Sequence, residues 1–296
     1  MDTGRIEKPV LAGELVAEPF EGRELTTVCP HCGRTLLTVA GLWVQCDEED
    51  PRYGLVRGLG RDCGCELALR AAEDEKRAQR AAEELERQTQ ERMRLEHLWV
   101  KSGMPRAWRK RGLCCWVRET EAQQGAYDVV TEFGRQLLAG NKPGSLFIAG
   151  DIGTGKTFLA SCLCADLLRR GRVVQWCNMS EVLRELRRSF NNARVSEAEV
   201  LRQYTGSGVL VLDDLGKERP TEWAVEQLFC IINARYDKGR ALVVTTNYGG
   251  EELVRRLTPR PDADGYQDDT TARAIVDRLR AMCCVVTLEG SSWRGK

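Results

Sequence analysis

Between Gly150 and Thr157 the chain reads GDIGTGKT, so that Gly150, Asp151, Ile152, Gly153, Thr154, Gly155, Lys156 and Thr157 satisfy G-x-x-x-x-G-K-[ST]. Those residue types at that spacing make a polyphosphate cradle. The glycines let main-chain N–H groups come close to phosphate oxygens, and the start of a following helix adds positive potential. Lys156 would bridge the β and γ phosphates of ATP, and the Thr157 hydroxyl would sit on Mg²⁺. The setting matches, because SLFIA (145–149) reads as a strand and TFLASCLCADLLRR (157–170) as a helix. Further on, VLVLDDLG places Asp213 and Asp214 at the carboxyl end of an apolar strand, where ligands of open α/β sheets gather. Asp213 would hold Mg²⁺ through water, and Asp214 would orient or deprotonate the attacking water. Asn247, closing ALVVTTN, would fix the same water, with a turn-forming role as the alternative.

Two other groups of residues carry chemistry. Cys29-x-x-Cys32 and Cys63-x-Cys65 offer four thiolates of the kind that hold tetrahedral zinc, in a segment too small to keep a hydrophobic core alone. Cys46 and His31 are spare candidates, so the fourth ligand stays open. The pairs Cys114–Cys115 and Cys283–Cys284 read as packing residues. In SEVLRELRRSF (180–190), Arg184, Arg187 and Arg188 share one helical side with Phe190 beyond. That combination suits single-stranded DNA through phosphate neutralisation and base stacking, and a solvated basic face is equally open. KSGMPRAWRKRGLCCWVR (101–118) is a second basic run, with Trp108 and Trp116, and reads as a packing segment between domains or as a further DNA contact.

Positioning the phosphate site falls to five strand candidates, Ser145–Ala149, Val173–Asn178, Val209–Asp214, Ala241–Asn247 and Cys283–Gly290, separated by helical segments. This pattern predicts an α/β fold with a parallel sheet covered on both faces. Ahead of it, residues 1–65 form a cysteine-rich module with short β-like runs, TLLTV and LWVQC. Residues 66–101, rich in charge and free of Gly and Pro, form a linker helix with a thin apolar stripe. Residues 102–296 form the nucleotide-binding domain. Lys plus Arg and Asp plus Glu both total 44, so any nucleic-acid surface has to be a local patch. Thirteen cysteines without an export-type leader point to a reducing, cytoplasmic setting, and no apolar run approaches the roughly 18 residues that span a bilayer.

GDIGTGKT, VLVLDDLG, IINARY (231–236), VVTTN (243–247) and LEGSSWR (288–294) together resemble the AAA+ ATPases of the DnaC helicase-loader and IstB group. SGMPRAWR (102–109) is similar to the entry segment of that group, and the likeness runs from about Trp99 onward. The resemblance implies a P-loop AAA+ sheet sandwiched by helices, with no C-terminal lid in the six residues after Gly290. It implies an ATPase whose Asn247 is sensor 1, whose Arg278 is an arginine finger and whose Arg294 is sensor 2. Self-assembly through the ATPase domain, single-stranded DNA and a replicative helicase delivered during DNA replication are the implied partners. The cysteine module then becomes a docking platform for that helicase. Most AAA+ proteins carry Glu where this chain has Asp214, which implies slow hydrolysis. An IstB-like transposition helper and a nucleotide-gated adaptor with negligible turnover are the alternatives.

Overall fold

The computed structural model describes residues 10–11, 26–29, 31–33, 35–39, 42–45, 55–56, 65–190, 196–217, 220–261, 267–290 and 292–293. The chain divides into two compact units, Met1–Gln90 and Glu91–Lys296, with the division inside a helix. In the first unit β1 (Val10–Leu11) pairs antiparallel with β5 (Leu55–Val56), and β2 (Thr26–Val28), β3 (Thr35–Val39) and β4 (Leu42–Gln45) form an antiparallel meander. The TLLTV run and residues 42–45 of the LWVQC run, both anticipated as β-like, are therefore strands. Helix α1 (Glu66–Lys101) follows, its exposed charges paired one turn apart, as in Arg70–Glu66 at 2.6 Å and Arg87–Glu84 at 2.7 Å. Such solvent-exposed pairs add little to the stability of a helix.

In the second unit, α2 (Glu121–Leu138) precedes β6 (Ser145–Gly150), α3 (Lys156–Arg169), β7 (Val174–Asn178), α4 (Met179–Phe190) and α5 (Glu197–Gly206). Then come β8 (Val209–Leu215), α6 (Glu222–Asp237), β9 (Ala241–Thr246), α7 (Gly250–Leu257), α8 (Thr270–Met282) and β10 (Cys283–Leu288). The five strands β6 to β10 run parallel in the spatial order β10-β6-β9-β8-β7. Observed strand ends shift slightly: β8 runs on to Leu215, β10 stops at Leu288, and Asn247 lies just beyond β9.

Strand periodicity explains why both sheet faces are covered. In β8, Val209 and Val211 join the core built on α2 and α3, while Leu210 and Leu212 join the core built on α4 to α8. A run of four apolar residues with no polar alternation is what a doubly covered strand requires. Because β6 lies between β10 and β9 and leads into α3, the chain crosses over at its carboxyl end, where the cleft of an open parallel sheet forms. Among the described residues no helix is long and apolar enough to cross a membrane.

One buried cation ties the opposite end of the sheet together. Arg235 in α6 is fully buried and donates to Tyr204 O at 2.7 Å, to Ser207 O at 3.2 Å and to Ala241 O. These carbonyls end α5 and open β9, and burial pulls the guanidinium pKa down to about 9. Replacing it with alanine strands several buried acceptors at once. Arg235→Ala is expected to cost roughly 3 kcal/mol of stability, read as a lower urea midpoint.

Candidate nucleotide site

The phosphate loop leaves β6 at Gly150 and enters α3 at Lys156. Gly155 adopts φ +98°, and a Cβ built there would lie 3.0 Å from the Trp116 ring, so the position needs glycine for both conformation and space. Lys156 is buried, with its ammonium donating to Gly150 O at 2.9 Å and Asp151 O at 2.7 Å. Thr154 closes the same loop by donating to Asp151 O at 2.9 Å. The loop thus holds its cation over its own carbonyls, where entering phosphate oxygens would compete for it.

Thr157 Oγ1 donates to Asp213 Oδ1 at 2.9 Å, bringing together the two residues expected to share Mg²⁺. Thr245 of β9 donates to the same oxygen at 2.6 Å and accepts the Asp214 N–H at 2.9 Å. Thr245 was not anticipated; its signal was a polar residue inside the apolar run VVTTN. Asp213 is pushed above the usual carboxylate range by burial, against the pull of the two hydroxyls. Its neighbour Asp214 has φ +56°, at a register shift between Leu212 and Leu215 against β9. That bulge lets two consecutive acids face one cleft, where strict strand alternation would separate them. Lys217 Nζ sits 3.6 Å from Asp214 Oδ2.

The cleft above these groups has a volume of about 790 Å³, and Asn247 lines it together with Lys156, Thr157, Asp213 and Asp214. Its apolar wall comes from Trp108, Trp116 and Phe158, whose rings lie 5.8 Å and 6.2 Å from the phenyl centroid. The Lys101–Arg118 run therefore folds back within its own unit onto the phosphate loop. Trp293 also lines the cleft, and its N–H donates to Gly153 O at 3.0 Å. Arg294 and Cys63 lie outside the described residues, as does Cys46.

Arg278 is not in this cleft. Half-buried in α8, it donates to Asn233 Oδ1 at 2.6 Å and to Ala274 O at 3.2 Å, and its guanidinium lies 4.6 Å from the Phe229 ring centre. Arg184, Arg187, Arg188 and Phe190 are all exposed on α4. Trp223 of α6 joins them, 5.5 Å from the Arg187 guanidinium and 5.8 Å from the Phe190 ring. In the first unit the sulfurs of Cys29, Cys32 and Cys65 lie within 4.8 Å of one another; His31 is described and stands outside that cluster. Zinc with bonds of about 2.3 Å to each sulfur would space them roughly 3.8 Å apart, so the three residues fit the metal. The pairs expected as packing residues differ: Cys114, Cys115 and Cys284 are exposed and Cys283 is half-buried.

The model of the family described as IstB-like ATP binding protein matches residues 141–296. The chain belongs to that family. It is 27% identical over 142 residues to the replicative helicase loader DnaC of Escherichia coli, covering 48% of this chain and 57% of the relative. It is 29% identical over 150 residues to an ATP-binding protein in an insertion sequence of Mycobacterium tuberculosis, covering 51% and 55%. The chain thus spans about half the length of the curated relatives it matches. The crystal structure of the DnaC helicase loader superposes with a TM-score of 0.52 at 22% identity, over 62% of this chain and 100% of that one. A DnaI structure does so at 0.52 and 22%, over 65% and 95%. The fold, a parallel five-stranded sheet with helices, resembles that of these AAA+ domains.

Proposed function

We propose that this member of the IstB-like family binds and slowly hydrolyses ATP to ADP and phosphate, and that it loads a replicative helicase onto single-stranded DNA. The observation that supports ATP chemistry most directly is the Thr157–Asp213–Thr245 hydrogen-bonded set beneath the cleft, beside the phosphate loop. Residues 150–157 cradle the phosphates, and Lys156 carries the positive charge that faces the β and γ groups. Thr157 and Asp213 would hold Mg²⁺, which when bound neutralises charge on the phosphate oxygens. Asp214 and Asn247 position a water for in-line attack, with Asp214 accepting its proton. Aspartate reaches less far than glutamate, which fits slow turnover. Arg278 acts on a neighbouring subunit's γ-phosphate, and Arg294 serves as sensor 2.

The likeness to helicase loaders supports the helicase as partner, and the relative from an insertion sequence supports a second reading as a transposition helper. Capture separates them. Tagged protein should retain a replicative helicase in an ATP-dependent manner, and the Lys156→Ala variant should not; ATP-dependent retention of a transposase instead would favour the helper. The organisation that goes with loading is a zinc module at 1–65, a linker helix at 66–101 and the ATPase domain at 102–296, in a cytoplasmic protein that self-assembles.

The zinc assignment predicts about one zinc per chain by elemental analysis, lost in the Cys29→Ser plus Cys32→Ser variant. Metal-free protein would remove the metal from the module. For DNA, the Arg187→Glu plus Arg188→Glu variant is expected to bind single strands more weakly. It should also flatten the slope of log affinity against log salt by at least roughly 1.4, since two phosphate contacts are lost. An unchanged slope moves the contact off α4.

A further inference from the structure

Next to the aromatic wall of the cleft, Leu113–Cys115 forms a 3-10 turn whose two cysteines are both exposed, with their sulfurs 4.0 Å apart. The turn is anchored at both ends. Leu113 N–H donates to Asp166 Oδ2 at 2.9 Å, and the Trp116 indole N–H donates to Gln123 O at 3.0 Å. Cys115 lines the nucleotide cleft, and Trp116, the next residue, packs its ring on Gly155 of the phosphate loop. A thiol pair therefore sits one residue from a contact that shapes the phosphate cradle.

We infer that Cys114 and Cys115 form a modification site for low-molecular-weight disulfides such as oxidised glutathione, closing reversibly to a disulfide between adjacent residues that weakens nucleotide binding. This rests on the cleft being the ATP site. The chemistry is two exchanges. The Cys115 thiolate attacks one glutathione sulfur, forming a mixed disulfide and expelling one glutathione thiolate. The Cys114 sulfur then gives up its proton to solvent and attacks Cys115 Sγ, expelling the second glutathione. Two protein thiols are oxidised and one glutathione disulfide is reduced to two thiols.

Geometry supports both the ring and its reversal. The sulfurs have to approach from 4.0 Å to a bond of about 2.05 Å. A trans peptide keeps adjacent Cα atoms about 3.8 Å apart, below the 4.4–6.8 Å usual for disulfides, so closure has to twist the peptide between them. A strained ring is readily reduced again. The same twist acts on the Trp116 N–H and on the ring seated at Gly155. Cys114 is raised above the usual thiol range by its hydrogen bond with Cys115, a contact that is lost once Cys115 carries glutathione, which frees Cys114 to ionise and attack. Cys162, behind the turn in α3, is buried and raised by that burial to about 12, so it does not compete as a thiolate.

Linkage is reciprocal: if the ring weakens ATP, then ATP must oppose the ring by the same factor, which for couplings of this kind is roughly 5- to 150-fold. Full-length reduced protein is treated with oxidised glutathione, with and without ATP, alkylated and cut with trypsin. Cleavage after Arg111 and Arg118 releases GLCCWVR, whose only cysteines are this pair. The expected peptide has lost two hydrogens, forms more slowly with ATP present, and reverts with dithiothreitol. A fluorescent ATP analogue should bind the oxidised protein more weakly, and Cys114→Ser, which should bind it normally when reduced, should halt at the mixed disulfide and give no peptide that has lost two hydrogens. A peptide that stays reduced, one that retains glutathione on a single sulfur, or a closed ring with unchanged nucleotide affinity overturns the proposal. If the reduced wild type binds no ATP analogue, the nucleotide reading falls instead, and the peptide mass still decides whether the ring forms.

Discussion

Lys156→Ala is expected to abolish tight ATP binding while the protein stays folded. The ammonium is buried, and it is already poised between Gly150 O and Asp151 O at the mouth of the loop. Entering phosphate oxygens would take it over from those carbonyls, and removing it leaves the phosphate charge to the main-chain amides and the metal. Truncating one partner of a buried, hydrogen-bonded charge pair costs about 2–5 kcal/mol, or roughly 30- to 5000-fold in Kd. The fold should persist because the loop keeps Thr154 Oγ1 to Asp151 O at 2.9 Å and Leu159 N to Gly155 O at 2.8 Å. Equilibrium binding of a fluorescent ATP analogue, beside a thermal melt, reads both quantities. Wild-type affinity in a normally melting variant would take Lys156 out of the site.

The parts of this site that could be read from the sequence are those set by short spacing. GDIGTGKT holds every cradle residue within eight positions, and its flanking strand and helix follow from local periodicity. What escaped depends on contacts across the sheet. Thr245 meets Asp213 because β8 and β9 are neighbours, although 32 residues separate them. Asp214 turns into the cleft only through a bulge that no alternation pattern announces. Trp108 and Trp116 lie some 40 residues ahead of the loop they cover, and their basic neighbours suggested a packing or DNA segment. Likewise a Cys-Cys pair has the same composition whether it faces the core or solvent, and only the 3-10 turn decides that Cys114 and Cys115 are exposed.

Arg278 illustrates a further step, from a residue's type to its reach. An arginine finger contributes ~10³ to 10⁵ in rate where one acts, so a lone subunit should be nearly silent. Here the guanidinium lies outside its own cleft and is held between Asn233 Oδ1 and the Phe229 ring, which fixes its direction at the cost of free rotation. A finger pre-oriented in this way loses less side-chain entropy when a neighbour's phosphate arrives. ATPase activity per subunit is then expected to rise with protein concentration. Lys156→Ala and Arg278→Ala should each be inactive alone. In an equal mixture about a quarter of head-to-tail interfaces would pair an intact Lys156 with an intact Arg278, so partial recovery is expected. Because Arg278 also touches Asn233, Asn233→Ala separates anchoring from chemistry: it should lower the rate less than Arg278→Ala while leaving ATP affinity unchanged. A mixture that assembles but stays as inactive as either variant shows that Arg278 does not act in trans. Arg273 then becomes the candidate, and its pairing with Asp269 at 2.7 Å and Glu251 at 3.5 Å would have to open first.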